Sequence, residues 1–268
     1  MYTPTVGEAC QRYHHLPVAP LGLYLRASAA GTFLAQLRAL PEQGVRVVVV
    51  TDGERVLGLG DLGAGGMAIS EGKSLLYTAA AGVPPPQILP VCIDVGTNNA
   101  ALLADPAYRG LRQRRLGGAA YEAVLEEFVG ALQAWRPHVV LQWEDFGNGN
   151  AFWLLARYRP RICCLNDDIQ GTAAVALAGL LAALRAGGGA SLAEQRILFH
   201  GAGEAGTGIG ELVAIALEAR HGLSREEVRG GEIPGRWQGA LARPSPSISV
   251  HASLEPACYA SCAPPDLT

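Results

Sequence analysis

Two acidic pairs in this sequence stand directly after apolar runs: Glu144-Asp145 follows Val139 to Trp143, and Asp167-Asp168 follows Ile162 to Leu165. Short apolar runs of this kind predict buried strands, and a strand end in an α/β sheet opens onto the ligand crevice. Four carboxylates delivered there would repel one another and raise their own pKa values, and a bound divalent cation would relieve that repulsion. Oxygen ligation without His or Cys nearby points to Mg²⁺ or Mn²⁺ rather than zinc. The plainer alternative is that each pair caps the helix that follows it. The repetition of the arrangement favours the metal.

Two further segments could take part. Asp52-Gly53-Glu54-Arg55 opens a loop containing Gly58, Gly60, Gly63, Gly65 and Gly66, where backbone can approach a ligand and Arg55 offers a fork that suits a carboxylate. Downstream, Gly72-Lys73-Ser74 invites comparison with a phosphate loop. Five residues rather than four separate Gly66 from Gly72, which disfavours that reading. Lys73 can instead serve as a base if apolar surroundings and nearby positive charge depress its pKa. The third element is Gly201-Ala202-Gly203-Glu204-Ala205-Gly206, placed between the apolar run Arg196 to His200 and the periodic run Ile209 to Leu217. A strand, a G-x-G-x-x-G turn and a helix N-terminus form the first half of a dinucleotide site. Its second half is not evident, because Glu226 and Glu227 lie in a polar run and not at a strand end.

The elements that would position these residues are strands at Val45 to Thr51, Ile88 to Val95, Val139 to Trp143, Ile162 to Leu165 and Arg196 to His200. Helical periodicity covers Tyr121 to Trp135 and Thr172 to Arg185. This alternation predicts an α/β fold. Gly187-Gly188-Gly189 marks a boundary or hinge. Beyond Gly230 the prolines and glycines recur with no buried run between them, and that tail is expected to lack a core and be disordered.

With 268 residues, 49% hydrophobic and 17% charged, the chain suits a globular protein. A net charge of −3 gives no reason to expect nucleic acid, and Arg112-Gln113-Arg114-Arg115 reads as a solvated helix face. The six cysteines lack a C-x-x-C pair and read as reduced thiols. No signal peptide is evident and the apolar stretches read as too short for a bilayer span, so a soluble intracellular protein with no membrane partner is expected.

Taken together these motifs resemble the malic enzymes. The resemblance rests on Tyr2 to Gly7, Thr51 to Arg55, Gly58 to Gly63, Glu144 to Asn148, Asn166 to Ala173 and Gly201 to Ile209, and it extends to about Glu227. Gly96-Thr97-Asn98-Asn99, Gly110 to Arg115 and Gly206-Thr207-Gly208 resemble the plant-type NADP-dependent branch. The resemblance implies that Glu144, Asp145 and Asp168 ligate the metal and that Asp167 tunes the base. It makes Lys73 the base on the malate hydroxyl, Tyr2 the proton donor and Arg55 the partner of the substrate carboxylate, with residues 201–206 receiving NADP, or alternatively NAD. The implied reaction is oxidative decarboxylation of (S)-malate to pyruvate, with oxaloacetate decarboxylation as a partial activity. The implied partners are these dicarboxylates and like chains in a homo-oligomer, in the cytoplasm or a plastid. Residues 1–187 would form a parallel-sheet substrate and metal domain. Residues 188–229 would begin a Rossmann-like nucleotide-binding domain, and 230–268 the divergent tail. Relative to the family the chain reads as truncated at both ends. That suggests a second reading, an impaired form that binds metal or dicarboxylate or associates with full-length subunits. Tyr2, close to the chain end, is expected to be loosely held. A third reading, an unrelated α/β hydrolase, has no nucleophile elbow to support it.

Overall fold

The structure, a computed structural model, describes residues 2–17, 19–41, 44–195, 197, 199 and 201–224. The run Arg196 to His200 is only partly described. Glu226, Glu227 and the tail lie outside the described residues.

The chain divides into two compact units, 1–166 and 167–268. In the first, five strands form one parallel sheet: β1 (Leu23–Arg26), β2 (Val47–Thr51), β3 (Ile88–Asp94), β4 (Val140–Trp143) and β5 (Cys164–Asn166), in the order β1-β3-β2-β4-β5. The register pairs Val50 with Val91 on one side and Trp143 on the other. Because all the strands are parallel, Thr51, Asp94, Trp143 and Asn166 end at one edge, which is where α/β sheets place their ligands. All seven residues of β3 are buried, as expected of an interior strand covered on both faces.

Around the sheet lie α1 (Thr5–Arg12), α2 (Phe33–Arg38), α3 (Met67–Ala81), α4 (Ala100–Ala104), α5 (Gly118–Trp135) and α6 (Asn148–Tyr158). Helix α5 buries Leu125, Phe128, Val129 and Leu132, which recur at three- and four-residue spacing. Trp143 meets Phe128, Phe146 and Tyr158 at ring separations of 6.3, 5.3 and 5.7 Å. Helix α3 packs on β2 and β3 and, through Met67, Ala68 and Ile69, on Val6, Cys10 and Tyr13 of the N-terminal segment.

The second unit holds α7 (Thr172–Ala186) and α8 (Glu204–His221), preceded by a π-helical turn at Asp167–Gly171. The expected boundary at Gly187 falls inside this unit, after α7. Leu177, Leu180, Leu181 and Leu184 of α7 pack on Val213, Ala214 and Leu217 of α8. Asp167–Ala186 is a 20-residue helical stretch long and apolar enough by length and composition to cross a membrane, although the apolar stretches read as too short for that from sequence, and Val175 on it is exposed. Gly208 makes close packing possible, since a Cβ there would come within 2.1 Å of the Ile169 carbonyl oxygen.

The Arg112 to Arg115 segment is not helical, and Arg115 is not solvated. The loop turns the Arg115 side chain inward, where two carboxylates receive it, as described below.

His14 is buried in the first unit. Its Nδ1 accepts the Arg109 backbone N–H at 3.3 Å, and its ring meets Tyr108 edge-on at 4.6 Å. Burial, reinforced by the positive charge of Arg109, lowers its pKa to about 4. Between pH about 6.5 and about 4 the unfolded chain therefore takes up a proton that the folded chain refuses. This contribution to stability is complete above that window and is lost as pH falls through it. In urea unfolding followed across pH 4 to 7, His14→Phe should flatten the decline relative to wild type. It should also be less stable at pH 7 by about 1 kcal/mol for the lost acceptor. Parallel pH profiles for the two proteins would overturn this assignment.

Candidate active site

The ladder between β2 and β4 continues one residue past the strands, where the Glu144 N–H donates to Val50 O at 2.8 Å. Glu144 is thus held by sheet geometry at the carboxyl edge, and only 2% of it is exposed. Its Oε1 accepts the Tyr2 O–H at 3.0 Å and lies 3.2 Å from Lys73 Nζ. Its Oε2 accepts Nε2 of Gln142 at 2.6 Å. Lys73 also sits over the Tyr2 ring, 4.7 Å from its centroid. Burial, and then the charge of Glu144, push Tyr2 well above the usual phenol range, so it keeps its proton.

Tyr2 is not loosely held. It packs against the core cluster of α1 and α3 and is fixed at both ring and hydroxyl. The sequence-based expectation weighed its place in the chain and not this packing.

Asp145 follows, 4% exposed, with φ at +54°. The left-handed region is unfavourable for most L-residues and is tolerated best by Asn and Asp. The turn places Asp145 beside Glu144 at the strand end, where its carbonyl accepts the Arg55 backbone N–H at 3.3 Å. The Arg55 side chain is exposed. Neither acid caps α6: its N-cap is Gly147, with no side-chain cap bond. Glu54 stands there instead, accepting Nδ2 of Asn150 at 2.7 Å. A Cβ at Gly147 would lie 2.4 Å from a Glu54 carboxylate oxygen, so a larger residue there would push the Glu54 side chain aside.

The loop carrying Arg55 is secured by a cluster that the sequence reading missed. Arg115 lies 3.3 Å from Asp52 through Nη1, and grips both oxygens of Asp61 through Nη2 at 2.8 Å and Nε at 3.2 Å. Asp52 also accepts the Tyr121 O–H at 2.6 Å. Asp61 in turn accepts the Thr97 hydroxyl and the Asn98 N–H, so three loops at the sheet edge meet on one guanidinium. Burial raises Asp52, with Arg115 opposing it. At Asp61 burial works the same way, but the hydrogen bonds and charge of Arg115 outweigh it and hold the carboxyl below its ordinary value. Gly53, at φ +69°, is required here, since a Cβ would meet the Gly63 carbonyl oxygen at 2.0 Å.

In the second unit, Asp167 and Asp168 occupy the π-helical turn before α7, both half-buried. Asp167 folds over Gly171, where a Cβ would fall 2.3 Å from its Oδ1. Of the nucleotide turn, Gly201 has φ +116° and Gly203 is the N-cap of α8. Ala202 precedes that cap, and Glu204 and Ala205 open the helix, with Glu204 buried. A Cβ at Gly206 would stand 2.6 Å from Gly201 O, which is the close approach the third glycine of such a turn permits.

Among the described residues, no three His, Cys, Asp or Glu side chains form a group suited to a metal. Glu144 and Asp145 stand in the first unit as a pair. Two adjacent buried carboxylates without His or Cys are a donor set for a hard divalent cation, and to that extent the residues fit one.

The first unit is a parallel α/β unit with buried carboxylates at its carboxyl edge, and in the second a glycine turn opens a helix. Residues 1–159 match the family model described as "Malic enzyme, N-terminal domain", and residues 169–242 match "Malic enzyme, NAD binding domain". The chain belongs to the malic enzyme family. It is 54% identical over 230 residues to "NADP-dependent malic enzyme 4, chloroplastic" of Arabidopsis thaliana, covering 85% of this chain and 35% of that protein. Over the same share of this chain it is 54% identical to "NADP-dependent malic enzyme" of Populus trichocarpa and 53% to that of Mus musculus, covering 39% and 40% of them. The chain therefore spans little more than a third of the length of these relatives.

Because Arg115 is shared by Asp52 and Asp61, Arg115→Met should destabilise the first unit by about 3–5 kcal/mol, as removing one side of a buried ion pair does. Arg115→Lys should recover only part of this, since an ammonium cannot reproduce the fork. Urea midpoints of the three proteins would check the order. Equal stability of wild type and Arg115→Met would show that the cluster holds nothing in place.

Proposed function

We propose that this chain carries the substrate and metal machinery of an NADP-dependent enzyme that oxidises (S)-malate and decarboxylates the resulting oxaloacetate to pyruvate and CO₂. The observation that supports this best is the convergence of Tyr2 O–H and Lys73 Nζ, far apart in sequence, on one buried oxygen of Glu144. A base, an acid and a carboxylate within hydrogen-bond reach of one another can move protons onto and off a small bound molecule.

In this reading Glu144 and Asp145 would be ligands of Mg²⁺ or Mn²⁺, and the resemblance assigns the same role to Asp168, with Asp167 tuning the base. The cation supplies Lewis-acid polarisation of the 2-oxygen of the dicarboxylate. Arg55, exposed on its loop, receives a substrate carboxylate. Lys73, once a bound cation had taken over the Glu144 charge, would accept the proton of the C2 hydroxyl, and a bound nicotinamide would supply the hydride acceptor. Tyr2, still protonated, delivers a proton to C3 once CO₂ has left. The turn from Gly201 through Ala202, Gly203, Glu204 and Ala205 to Gly206, with the N-terminus of α8, receives the pyrophosphate. The names of the relatives support NADP, with NAD the alternative, and the chloroplastic name of one supports a plastid, with the cytoplasm the alternative.

Three variants of the protein test these roles. Glu144→Gln should lose the rise in Tm that saturating Mn²⁺ gives the wild type, together with turnover. Lys73→Ala should lower malate oxidation by roughly 10²–10⁴-fold while affecting decarboxylation of supplied oxaloacetate far less. Tyr2→Phe should impair both. Malate oxidation undiminished in Lys73→Ala would remove the base from this scheme.

A further inference from the structure

Glu144 is gripped from two sides, and the second side has no part in the scheme above. Gln142 lies two residues before Glu144 on β4, on the same face of the strand, and is 1% exposed. Its Nε2 donates to Glu144 Oε2 at 2.6 Å, and its Oε1 accepts the hydroxyl of Tyr77. Tyr77 follows Lys73 by four residues on α3, so the two side chains share a helix face. One face of α3 thus reaches the same carboxylate twice: directly through Lys73, and through the Gln142 amide from Tyr77.

We infer that Tyr77 and Gln142 are a positioning pair that sets the rotation of the Glu144 carboxylate. The chemistry permits one orientation of the amide. Turned over, its carbonyl oxygen would face a carboxylate oxygen, two acceptors with no proton between them. The Tyr77 O–H, donating to the carbonyl, holds the amide the right way round. With Oε2 claimed by Gln142, Oε1 is the oxygen left to face Tyr2 and Lys73. The pair reaches the site through the hydrogen bond from Gln142 Nε2 to Glu144 Oε2. Supporting hydrogen bonds of this kind govern how well a carboxylate serves as a ligand, and their loss typically costs about 10–100-fold in metal affinity. In that respect the inference rests on Glu144 being a metal ligand.

The experiment is a pair of double-mutant cycles on the purified protein, one with Mn²⁺ and one without. Tyr77→Phe removes only a hydroxyl, and Gln142→Leu keeps nearly the same volume. Free Mn²⁺, followed by its electron paramagnetic resonance signal, should show about 10-fold weaker binding in either variant. Tyr77→Phe should add nothing further in the Gln142→Leu background. Without metal, Tyr77→Phe should lower the urea midpoint of the wild type more than that of Glu144→Gln, because an uncharged partner no longer dictates which way the amide faces. Metal-free coupling in a protein that binds no Mn²⁺ would sink the metal assignment and leave the pair standing. Mn²⁺ binding unchanged by Tyr77→Phe, with additive midpoint shifts in the metal-free cycle, would overturn the pair whether or not the metal reading holds.

Discussion

Withdrawing the Glu144 carboxylate from water is the constraint that the first unit is arranged around. An ionised carboxyl buried without partners costs several kcal/mol or more, so a fold that hides one has to bring donors to it. Here they come from three places in the chain: Tyr2 at the N-terminal segment, Lys73 on α3 and Gln142 on β4 itself. Each demands something of the packing. The N-terminal segment has to lie against α3, which the apolar contacts of Val6, Cys10 and Tyr13 with Met67 and Ile69 secure. Helix α3 has to cross β2 and β3 in the register that turns Lys73 and Tyr77 toward β4. Two of the groups that make burial of the charge tolerable, Tyr2 and Lys73, can also carry protons, so structural and chemical demands coincide there.

Around that carboxylate the edge of the sheet is built from loops with no regular structure of their own, and such loops need fixed anchors. Arg115 supplies one by binding Asp52 and Asp61 together, and the backbone bond from Arg55 to Asp145 supplies another. Glycines at 53 and 147 let backbone and side chains approach more closely than a Cβ would allow. Fork geometry matters more than charge alone in this cluster. A guanidinium can satisfy both oxygens of Asp61 and still reach Asp52, whereas a point charge would satisfy one at a time.

The second unit solves a different problem with smaller side chains. Helices α7 and α8 are rich in Ala, Gly and Leu. The leucines of α7 fill the contact between them while Gly208 brings α8 against the backbone of the π-helical turn at Ile169. That turn carries Asp167 and Asp168, and α8 begins at the glycine turn. Close packing of glycine on backbone therefore couples the position of the second acidic pair to that of the glycine turn within this unit.

Strands β2 to β5 were legible from sequence because a strand buried on both faces must be a continuous apolar run, as Val47–Thr51 and Ile88–Asp94 are, whereas the four-residue β1 was missed. The placement of Glu144 at a strand end followed from the same local rule, as did the glycine turn ahead of α8. What sequence could not decide was the fate of side chains whose partners are distant. Arg114 and Arg115 are neighbours of one type, yet the first is exposed and only 3% of the second side chain is. The direction of the loop decides this, through contacts with residues 54 and 63 positions away. Tyr2 looked loose for the same reason, its anchors lying on α1, α3 and β4. Gln142 did leave a trace, as a polar residue inside an apolar strand run directly before an acidic pair, but its role depends on Tyr77, which lies 65 positions away. Sequence alone marked strands β2 to β5 and helices α5 and α7, because those depend on local periodicity. The pairing of each buried charge was decided only by tertiary structure, because desolvation is relieved by whichever donor the fold brings within about 3 Å.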